Sequence, residues 1–347
     1  MAIKHVLVTL WDRDTRLSAS RFPDDPNVLI WAQNRMLCLE YMTQQAEERW
    51  PAWSAVHNNS REFDHHLVVA PEYLFAKAGN RPFLEEAQKE SIRAIAVNIA
   101  ARNPKLILVP GSVVWRKSML RPNSRLHKRG TQDAKPGGAV RDFTRYDEIN
   151  TRSLNYLQMT RQTFDRTLYS KSRQPSFEQI NTWSQQQPQA NRYIGRNTAY
   201  VFWENNVHTH HKAFENIGMT GVEEASTHVD WSDTLFMPGG LAPVPQVHGM
   251  SFGLEVCAEH AFKPALMISG KQCHFHLIVS ASIQFVPGNG AAKNGGFIVH
   301  ADSSDSAVYG IDDLGVAQKQ QPIYQFGMMD AGLNAGEAMS YLCVVDV

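Results

Sequence analysis

Three reactive side chains stand where apolar, strand-like segments of the sequence end. Glu72 follows "HHLVVAP", Lys212 follows "VHTHH" and Cys257 follows "FGLEV". In α/β sheets, reactive groups gather at the carboxyl ends of the strands, because the loops there open into a crevice. A carboxylate, an ammonium group and a thiol brought together at such an edge form a coherent set for acyl transfer.

The chemistry of this set begins at the thiol. The thiolate is the nucleophile, whereas a thiol at its ordinary pKa is mostly protonated near neutral pH. We expect Glu72 to take the thiol proton as general base. Lys212 would favour the thiolate and then stabilise the oxyanion as Cys257 attacks. Together these groups could support acyl transfer without a metal or cofactor.

Cysteine also has a purely structural interpretation. A cysteine in an apolar strand is most often a small buried hydrophobe, and this applies to Cys257 when it is considered alone. Cys38, Cys273 and Cys343 lie within predicted helix or strand, and we expect them to be packing residues. Four cysteines in 347 residues do not form a disulfide framework, which favours a reducing compartment.

A zinc site is an alternative use of the same region. His208 and His210 would share one face of a strand, and Cys257 could complete a ligand set. Lys212 would lie on that same face, however, and a cation beside a dication is unfavourable. We therefore expect no metal ligands among these residues.

The first half of the chain alternates predicted strands and helices. Strands are predicted at "HVLVTLW", at "HHLVVAPEYLF" up to Pro71, and at "KLILVPGSVVW". Apolar residues recur every three or four positions from Asp25 to Trp50, and a second helical pattern covers residues 82–103. This β-α-β-α-β order predicts an α/β fold with helices covering a sheet.

The second half is rich in strand signals. "NTAYVFWENNVHTHHKAF" predicts a hairpin that turns at "ENN", and "QVHGMSFGLEVC" and "CHFHLIVSAS" predict further strands. "FIVHADSS", "AVYGID" and "SYLCVVDV" complete the set, "DDLG" predicts a turn, and a short helix is expected near "FKPALMISG". We expect a single domain over residues 1–347.

A polar insertion is predicted within this domain at residues 117–196. This segment has 15 Lys and Arg against 6 Asp and Glu, a net charge of +9, and few aliphatic runs. It joins the strand after Glu72 to the strand before Lys212, so we expect it to line or cover the mouth of a pocket. A solvated excursion is the structural alternative.

The same basic segment also supports a different class of function. The chain could be a catalytically silent binding protein that uses residues 117–196 to hold an acidic partner. The segment has no dense Lys/Arg run and no nucleic-acid motif, so its charges are typical of a solvated face. We expect no nucleic-acid partner.

Three segments together resemble a known family. "VVAPEYLF", "NTAYVFWENNVHTHHKAF" and "GLEVCAEHAF" resemble, in this order, the signature regions of the nitrilase (carbon–nitrogen hydrolase) superfamily. Its members carry a Glu after a strand and a Pro, and a Lys closing a hairpin that begins with Asn-Thr/Ser-Ala. They also carry a Cys in a Gly-x-x-(Ile/Val)-Cys-x-(Asp/Glu) context. Those positions here are Glu72, Lys212 and Cys257.

The resemblance implies a four-layer α-β-β-α sandwich in which Glu is the base, Lys the oxyanion stabiliser and Cys the nucleophile. It implies a thioester or thioimidate intermediate, no cofactor or metal, and a homo-oligomer. The backbone amide of Ala258 would be a second oxyanion donor. Many members use a second Glu downstream of the Lys to orient substrate. Spacing favours Glu223 for this role, with Glu215 and Glu224 as alternatives.

The departures from the family pattern concern the substrate. Glu72 and Lys212 are 140 positions apart, longer than usual, because of the insertion. His210 and His211 replace the usual Tyr-Arg pair, and "HAFKP" stands where Arg-Phe-Pro-Glu is common. Hydrolysis of a small-molecule amide is the expected reaction, and nitrile hydrolysis or acyl transfer to an amine by the same triad are the alternatives.

Charge and hydropathy exclude several other classes. Lys and Arg number 34, as do Asp and Glu, so the net charge near pH 7 is zero and indicates neither a nucleic-acid nor a membrane partner. The longest apolar runs, such as "HLIVSASI", are far too short to span a bilayer. The first residues lack a signal-peptide pattern, so we expect a cytoplasmic enzyme.

Overall fold

Two β-sheets packed face to face form the centre of the protein, with two long helices on the outer side of the larger sheet. This is the architecture of a computed structural model, which describes residues 2–16, 21–23, 27–57, 59, 61–79, 82–118, 193–212, 234–236, 245–261, 272–330 and 332–347. The sequence-based expectation of a mixed α/β fold is therefore confirmed.

Within the described residues, the first sheet has ten strands: β1 (Ile3–Asp12), β2 (His65–Val69), β3 (Leu84–Glu85), β4 (Leu106–Val109), β5 (Ser112–Ser118), β6 (Tyr193–Trp203), β7 (Asn206–His211), β8 (Thr234–Phe236), β15 (Tyr324–Asp330) and β16 (Leu333–Asp346). They are arranged in the order β15-β16-β1-β2-β4-β6-β5-β3, with β7 and β8 also paired to β6. β1, β2 and β4 run parallel, so their carboxyl ends lie at one edge.

In the part of the chain that the structure describes, the second sheet has six strands: β9 (Gln246–Val247), β10 (Met250–Val256), β11 (Cys273–Val279), β12 (Ala292–Ala301), β13 (Ala307–Ile311) and β14 (Ala317–Lys319). Their order in the sheet is β14-β13-β12-β11-β10-β9. β10, β11 and β12 are parallel. Their central segments are apolar and buried, as expected for parallel strands covered on both faces.

The helices follow from apolar periodicity. α1 (Val28–Val56) buries Ala32, Met36, Leu39 and Ala46, which are three, four or seven positions apart, against the first sheet. α2 (Glu86–Arg102) packs on the same side, and α3 (Ala258–Ala261) is a single short turn after β10. No helix within the described ranges is both long and apolar enough to cross a membrane.

The core between the sheets explains the alternation along their strands. Val6, Val8 and Leu10 of β1 point into it, as do Leu277 and Val279 of β11. The opposite side of the first sheet contacts α1 and α2 instead. Because both faces of this sheet are covered, its strands are held in one register, which fixes the positions of the residues at their ends.

Two predicted strands are each divided in two. "KLILVPGSVVW" forms β4 and β5, because the chain turns at Pro110–Gly111, and Gly111 has φ +76°. "QVHGMSFGLEVC" forms β9 and β10, which pair antiparallel around a turn at His248–Gly249. The second helix also begins later than predicted, because Leu84–Glu85 pairs with β5 as a short strand.

The predicted hairpin is present, and both ends of the predicted insertion form part of paired strands. β6 and β7 pair antiparallel around a two-residue turn at Glu204, as the sequence indicates. Lys117, Ser118 and residues 193–196 belong to the paired strands β5 and β6, with Ser118 opposite Tyr193. Residues 119–192 and the helix expected near residues 262–270 lie outside the described residues.

Gly111 provides the first test of this fold. A Cβ atom at Gly111 would collide with the carbonyl oxygen of Pro71, the residue before Glu72, whereas a Cβ at Gly295 meets nothing within 4 Å. Both glycines have positive φ, +76° and +71°. We expect Gly295→Ala to lower the free energy of unfolding by about 1–2 kcal/mol, the usual cost of this backbone conformation. Gly111→Ala should cost about 1–3 kcal/mol more, because of the clash. Urea denaturation measures both, and equal losses would contradict the close approach.

Candidate active site

Lys212 and Glu72 form an ion pair that is closed off from solvent. Lys212 Nζ lies 3.1 Å from Glu72 Oε1, and both side chains are 0% exposed. Lys212 is the first residue after β7, and its backbone N–H donates to the carbonyl oxygen of Asn197 on β6. The hairpin therefore places Lys212 at the edge of the sheet where β2 ends, next to the turn that contains Glu72.

Asn197 is a site residue that the sequence analysis did not single out. Its Nδ2 donates to Glu72 Oε1 at 2.6 Å, so one carboxylate oxygen accepts from both Asn197 and Lys212. Two donors on one oxygen fix the rotation of the carboxylate. The signal was present, because Asn197 opens the "NTA" that begins the hairpin.

Cys257 lies at the carboxyl end of β10 and is fully buried. Its backbone N–H donates to the carbonyl oxygen of Val279 at 2.9 Å, and the N–H of Glu72 donates to that of Ser280 at 3.2 Å. Two consecutive residues at the end of β11 thus hold the backbones of Cys257 and Glu72. This joins the cysteine of the second sheet to the carboxylate of the first.

The backbone of Cys257 adopts a conformation that non-glycine residues rarely use. Its φ is +49°. Such conformations cost about 1–3 kcal/mol and are found at sites where the surrounding structure imposes them. α3 starts at the next residue, Ala258, whose N–H is the first of the helix and has no acceptor within it. This turn therefore places Cys257 and the backbone N–H of Ala258 next to each other, where β10 ends and α3 begins.

A network of hydroxyl groups supports the backbone of Glu72. Thr15 Oγ1 donates to the carbonyl oxygen of Glu72 at 2.6 Å and is 2.8 Å from Ser303 Oγ. Ser280, which accepts from the Glu72 N–H, donates its own hydroxyl to Asp302 Oδ2 at 2.6 Å. Loops from both sheets thus hold the backbone of Glu72, one through its carbonyl oxygen and the other through its N–H.

A second buried ion pair connects the lysine strand to the cysteine turn. His210 Nε2 lies 2.8 Å from Glu259 Oε2, which also accepts from the N–H of Val256 at 2.6 Å. Burial lowers the pKa of His210, but the charge and hydrogen bond of Glu259, with a contribution from Glu255, raise it above the ordinary value overall. His210 precedes Lys212 by two positions, so the pair holds the two strand ends together.

The structure does not group the ligand atoms of His208, His210 and Cys257, the zinc set considered from the sequence. His210 is engaged by Glu259. Burial, followed by the charge of His210, lowers the pKa of His208 to about 4. The described residues bring together a different group with metal-ligating atoms, namely Glu255, His260 and His276, whose ligand atoms lie within 4.8 Å of one another.

The hydrogen bonds of this group are those of neutral histidines rather than metal ligands. His260 Nε2 accepts from the N–H of Val286 at 3.1 Å, and His276 Nδ1 accepts from that of Ala291 at 3.0 Å. The protons of the neutral rings must therefore sit on the nitrogens that face Glu255, at 3.1 and 2.9 Å from its Oε2. A ligating histidine has the reverse polarity, donating its outer N–H. Burial raises the pKa of Glu255 to about 7.

Several residues predicted for the site lie outside the described residues. These are the candidates for the second acid, Glu215, Glu223 and Glu224, and most of the predicted insertion. Within the described residues, the structure brings together Glu72 and Lys212 by side-chain contact. It joins Cys257 to Glu72 through the backbone of Val279 and Ser280.

Comparisons with known proteins yield a distant structural similarity. No protein-family model matches the sequence, and no curated protein matches it either. The fold is similar to a solved structure of a mutant of the amidase from Nesterenkonia sp. AN1, with the acetamide moiety of fluoroacetamide covalently added at its active-site cysteine. The identity is 13%, the match covers 99% of this chain and 90% of that chain, and the TM-score is 0.40.

Asn197→Asp tests the contact between Asn197 and Glu72. The substitution places a second carboxyl group beside a buried carboxylate, so one of the two will have a raised pKa. A group with a raised folded-state pKa contributes stability that is present below its unfolded pKa, about 4, and is lost as the pH rises. The deficit of Asn197→Asp relative to wild type should therefore grow from pH 4 to pH 8.

Asn103→Asp is the matched control, measured by urea denaturation over the same pH range. Asn103 Nδ2 also donates to a glutamate, Glu47 Oε1, at 3.1 Å, but Glu47 is partly exposed. Solvent screening should make its pH dependence much weaker. Parallel pH profiles for the two variants would contradict the buried Asn197–Glu72 contact.

Proposed function

We propose that the protein hydrolyses a non-peptide carbon–nitrogen bond, with a small-molecule amide as substrate, through an acyl-enzyme on Cys257. One observation carries the proposal: the fully buried Glu72–Lys212 ion pair, in which Nζ and Oε1 are 3.1 Å apart. The backbone of Glu72 is hydrogen-bonded to the end of β11, as is the backbone of Cys257. This arrangement supports Glu72 as base, Lys212 as oxyanion stabiliser and Cys257 as nucleophile, which is the set that acyl transfer needs.

The first half of the reaction forms the acyl-enzyme. Glu72 takes the proton of the Cys257 thiol as sulfur attacks the carbonyl carbon, and the carbonyl electron pair moves onto oxygen. Lys212 and the N–H of Ala258 stabilise this oxyanion. The intermediate then collapses, the carbon–nitrogen bond breaks, and Glu72 returns the proton to the leaving nitrogen. Ammonia departs and a thioester remains.

The second half releases the acid. Glu72 takes a proton from water, which attacks the thioester carbonyl, and the same two donors stabilise the second oxyanion. The carbon–sulfur bond breaks, and Glu72 returns the proton to the leaving sulfur of Cys257. The carboxylic acid departs, and the thiol and the Glu72 carboxylate are restored. The proposal requires no metal and no cofactor.

The burial of the Glu72–Lys212 pair supports a functional rather than a stabilising role. Removing two charges from water costs several kcal/mol each, and a buried ion pair is often no more stable than an apolar replacement. An ammonium group held in a dry site interacts more strongly with developing negative charge than it would in water. The pair therefore has a catalytic rationale and little rationale as a stabilising contact.

Finer features remain part of the same proposal. Nitrile hydrolysis through a thioimidate, or transfer of the acyl group to an amine, would use the same three residues. We also propose a fourth, helical layer on the second sheet and Glu223 as the second acid. Self-association is supported by Ile30, Leu37 and Tyr41, which are exposed on one face of α1.

Ammonia release from a panel of amides, carbamoyl amines and nitriles tests the proposal. We expect Cys257→Ala to fall to background, because it removes the nucleophile. Glu72→Gln should lose about 10²–10⁴-fold as a missing base, and Lys212→Ala about 10²–10³-fold as a missing oxyanion donor.

Cys343→Ala is the control for Cys257→Ala, because both cysteines are fully buried in the core between the sheets. It should keep wild-type turnover despite a comparable loss of volume. If the protein were a silent binding module, Cys257→Ala would retain every function. Full activity in Cys257→Ala would reject the mechanism.

A further inference from the structure

Arg21 is a buried cation that forms no ion pair with an acidic side chain among the described residues. It is 6% exposed, its Nε donates to the carbonyl oxygen of Thr15 at 3.0 Å, and its Nη2 is buried with no hydrogen-bond partner. Within the described parts of the chain, no carboxylate forms an ion pair with it. Two other buried arginines differ in this respect, because Arg13 and Arg35 both contact Asp330, at 2.7 and 3.0 Å.

The burial of the Arg21 guanidinium, which no acidic side chain of the described residues contacts, needs an explanation. A buried charge is costly unless it is paired and hydrogen-bonded, and buried polar atoms in native proteins nearly always have partners. The ring of Tyr73 lies 4.8 Å from the Arg21 guanidinium and offsets part of this cost through a cation–π contact. An aromatic face does not satisfy the in-plane N–H donors, however, so these donors suit an anion.

Arg21 is connected to the proposed active site by two short routes. Thr15 accepts from Arg21 through its carbonyl oxygen and donates to the carbonyl oxygen of Glu72 through its hydroxyl. Tyr73, which stacks on the guanidinium, is the residue directly after Glu72. The guanidinium therefore lies beside the turn that carries the proposed general base.

We propose that Arg21 binds a carboxylate group of the substrate, so that the preferred substrates are amides with an acid at their other end. This inference rests on the proposed function and specifies its substrate class. The planar guanidinium can hold a carboxylate through two parallel hydrogen bonds, which an ammonium group cannot do. Lys212 is already paired with Glu72. Arg21 is therefore the cation that would neutralise the substrate carboxylate while Cys257 attacks the amide carbon.

Two amides of equal chain length test this specificity. Glutaramate carries a carboxylate where pentanamide carries a methyl group, and the measured quantity is the ratio of their kcat/KM values. We expect wild type to prefer glutaramate. Arg21→Gln should lower the ratio by at least about 30-fold, the lower end for truncating one partner of a buried charge pair. Arg21→Lys should lower it less, because it keeps the charge but not the planar donors.

Arg16→Gln is the matched control. Arg16 is an exposed arginine close in sequence that is paired with Asp14 at 3.0 Å, so its loss should leave the ratio unchanged. If Arg21 only holds the chain around Thr15 in place, Arg21→Gln will lower both kcat/KM values by the same factor. An unchanged ratio would overturn the proposal. If Arg21→Gln does not fold, Arg21→Lys decides by the same criterion.

Measuring how tightly the two amides bind, without turnover, distinguishes the Arg21 site from the proposed amidase function. Calorimetry with Cys257→Ala should detect glutaramate more tightly than pentanamide, and adding Arg21→Gln should remove the difference. Arg21-dependent binding without turnover of either amide by wild type would reject the amidase function and keep the anion site. Turnover of both amides with no Arg21 dependence would reject the anion site and keep the amidase function.

Discussion

The contact between Lys212 and Glu72 is the constraint on which the rest of the site depends. Two opposite charges 3.1 Å apart and fully buried require further polar partners, since each loses its hydration. Asn197 supplies one of these through its side chain and fixes the backbone of Lys212 through its carbonyl oxygen. The β6–β7 hairpin thus holds the ammonium group of Lys212 against the carboxylate of Glu72.

The contact between the two sheets brings Cys257 to the same edge as Glu72 and Lys212. Val279 and Ser280 accept the N–H groups of Cys257 and Glu72, so the end of β11 sets the distance between the cysteine turn and the carboxylate turn. The parallel strands make this geometry possible because their carboxyl ends reach one edge together. The positive φ of Cys257 is the local cost of turning the chain there.

The sequence predicts the elements and the strand-end residues better than it predicts their contacts. Apolar runs that stop at Glu72, Lys212 and Cys257, with helical periodicity in α1, are local signals that the sequence carries directly. The break between β4 and β5 has a local signal in the Pro110-Gly111 pair, which the prediction of one continuous strand passed over. The close approach of the Pro71 carbonyl oxygen to Gly111, in contrast, depends on tertiary structure and has no local signature.

The same limit applies to the partners of the proposed catalytic groups. The Asn197–Glu72 and His210–Glu259 contacts join residues that are 125 and 49 positions apart, and only the assembled sheets bring them together. Arg21 lies in a segment without apolar periodicity, and only the three-dimensional structure shows that it is buried beside Tyr73 and bonded to Thr15. Residue type and spacing predict candidates, whereas burial and distance determine which candidates can act together.

A covalent acyl group on Cys257 is the most direct test of this account. The protein would be mixed with an amide that it turns over, quenched in acid to preserve a thioester, digested and measured by mass spectrometry. We expect the peptide containing Cys257 to gain the mass of the substrate less ammonia, while the peptide containing Cys343 is unchanged. Steady turnover with no adduct under any quench time, or an adduct on another residue, would contradict it.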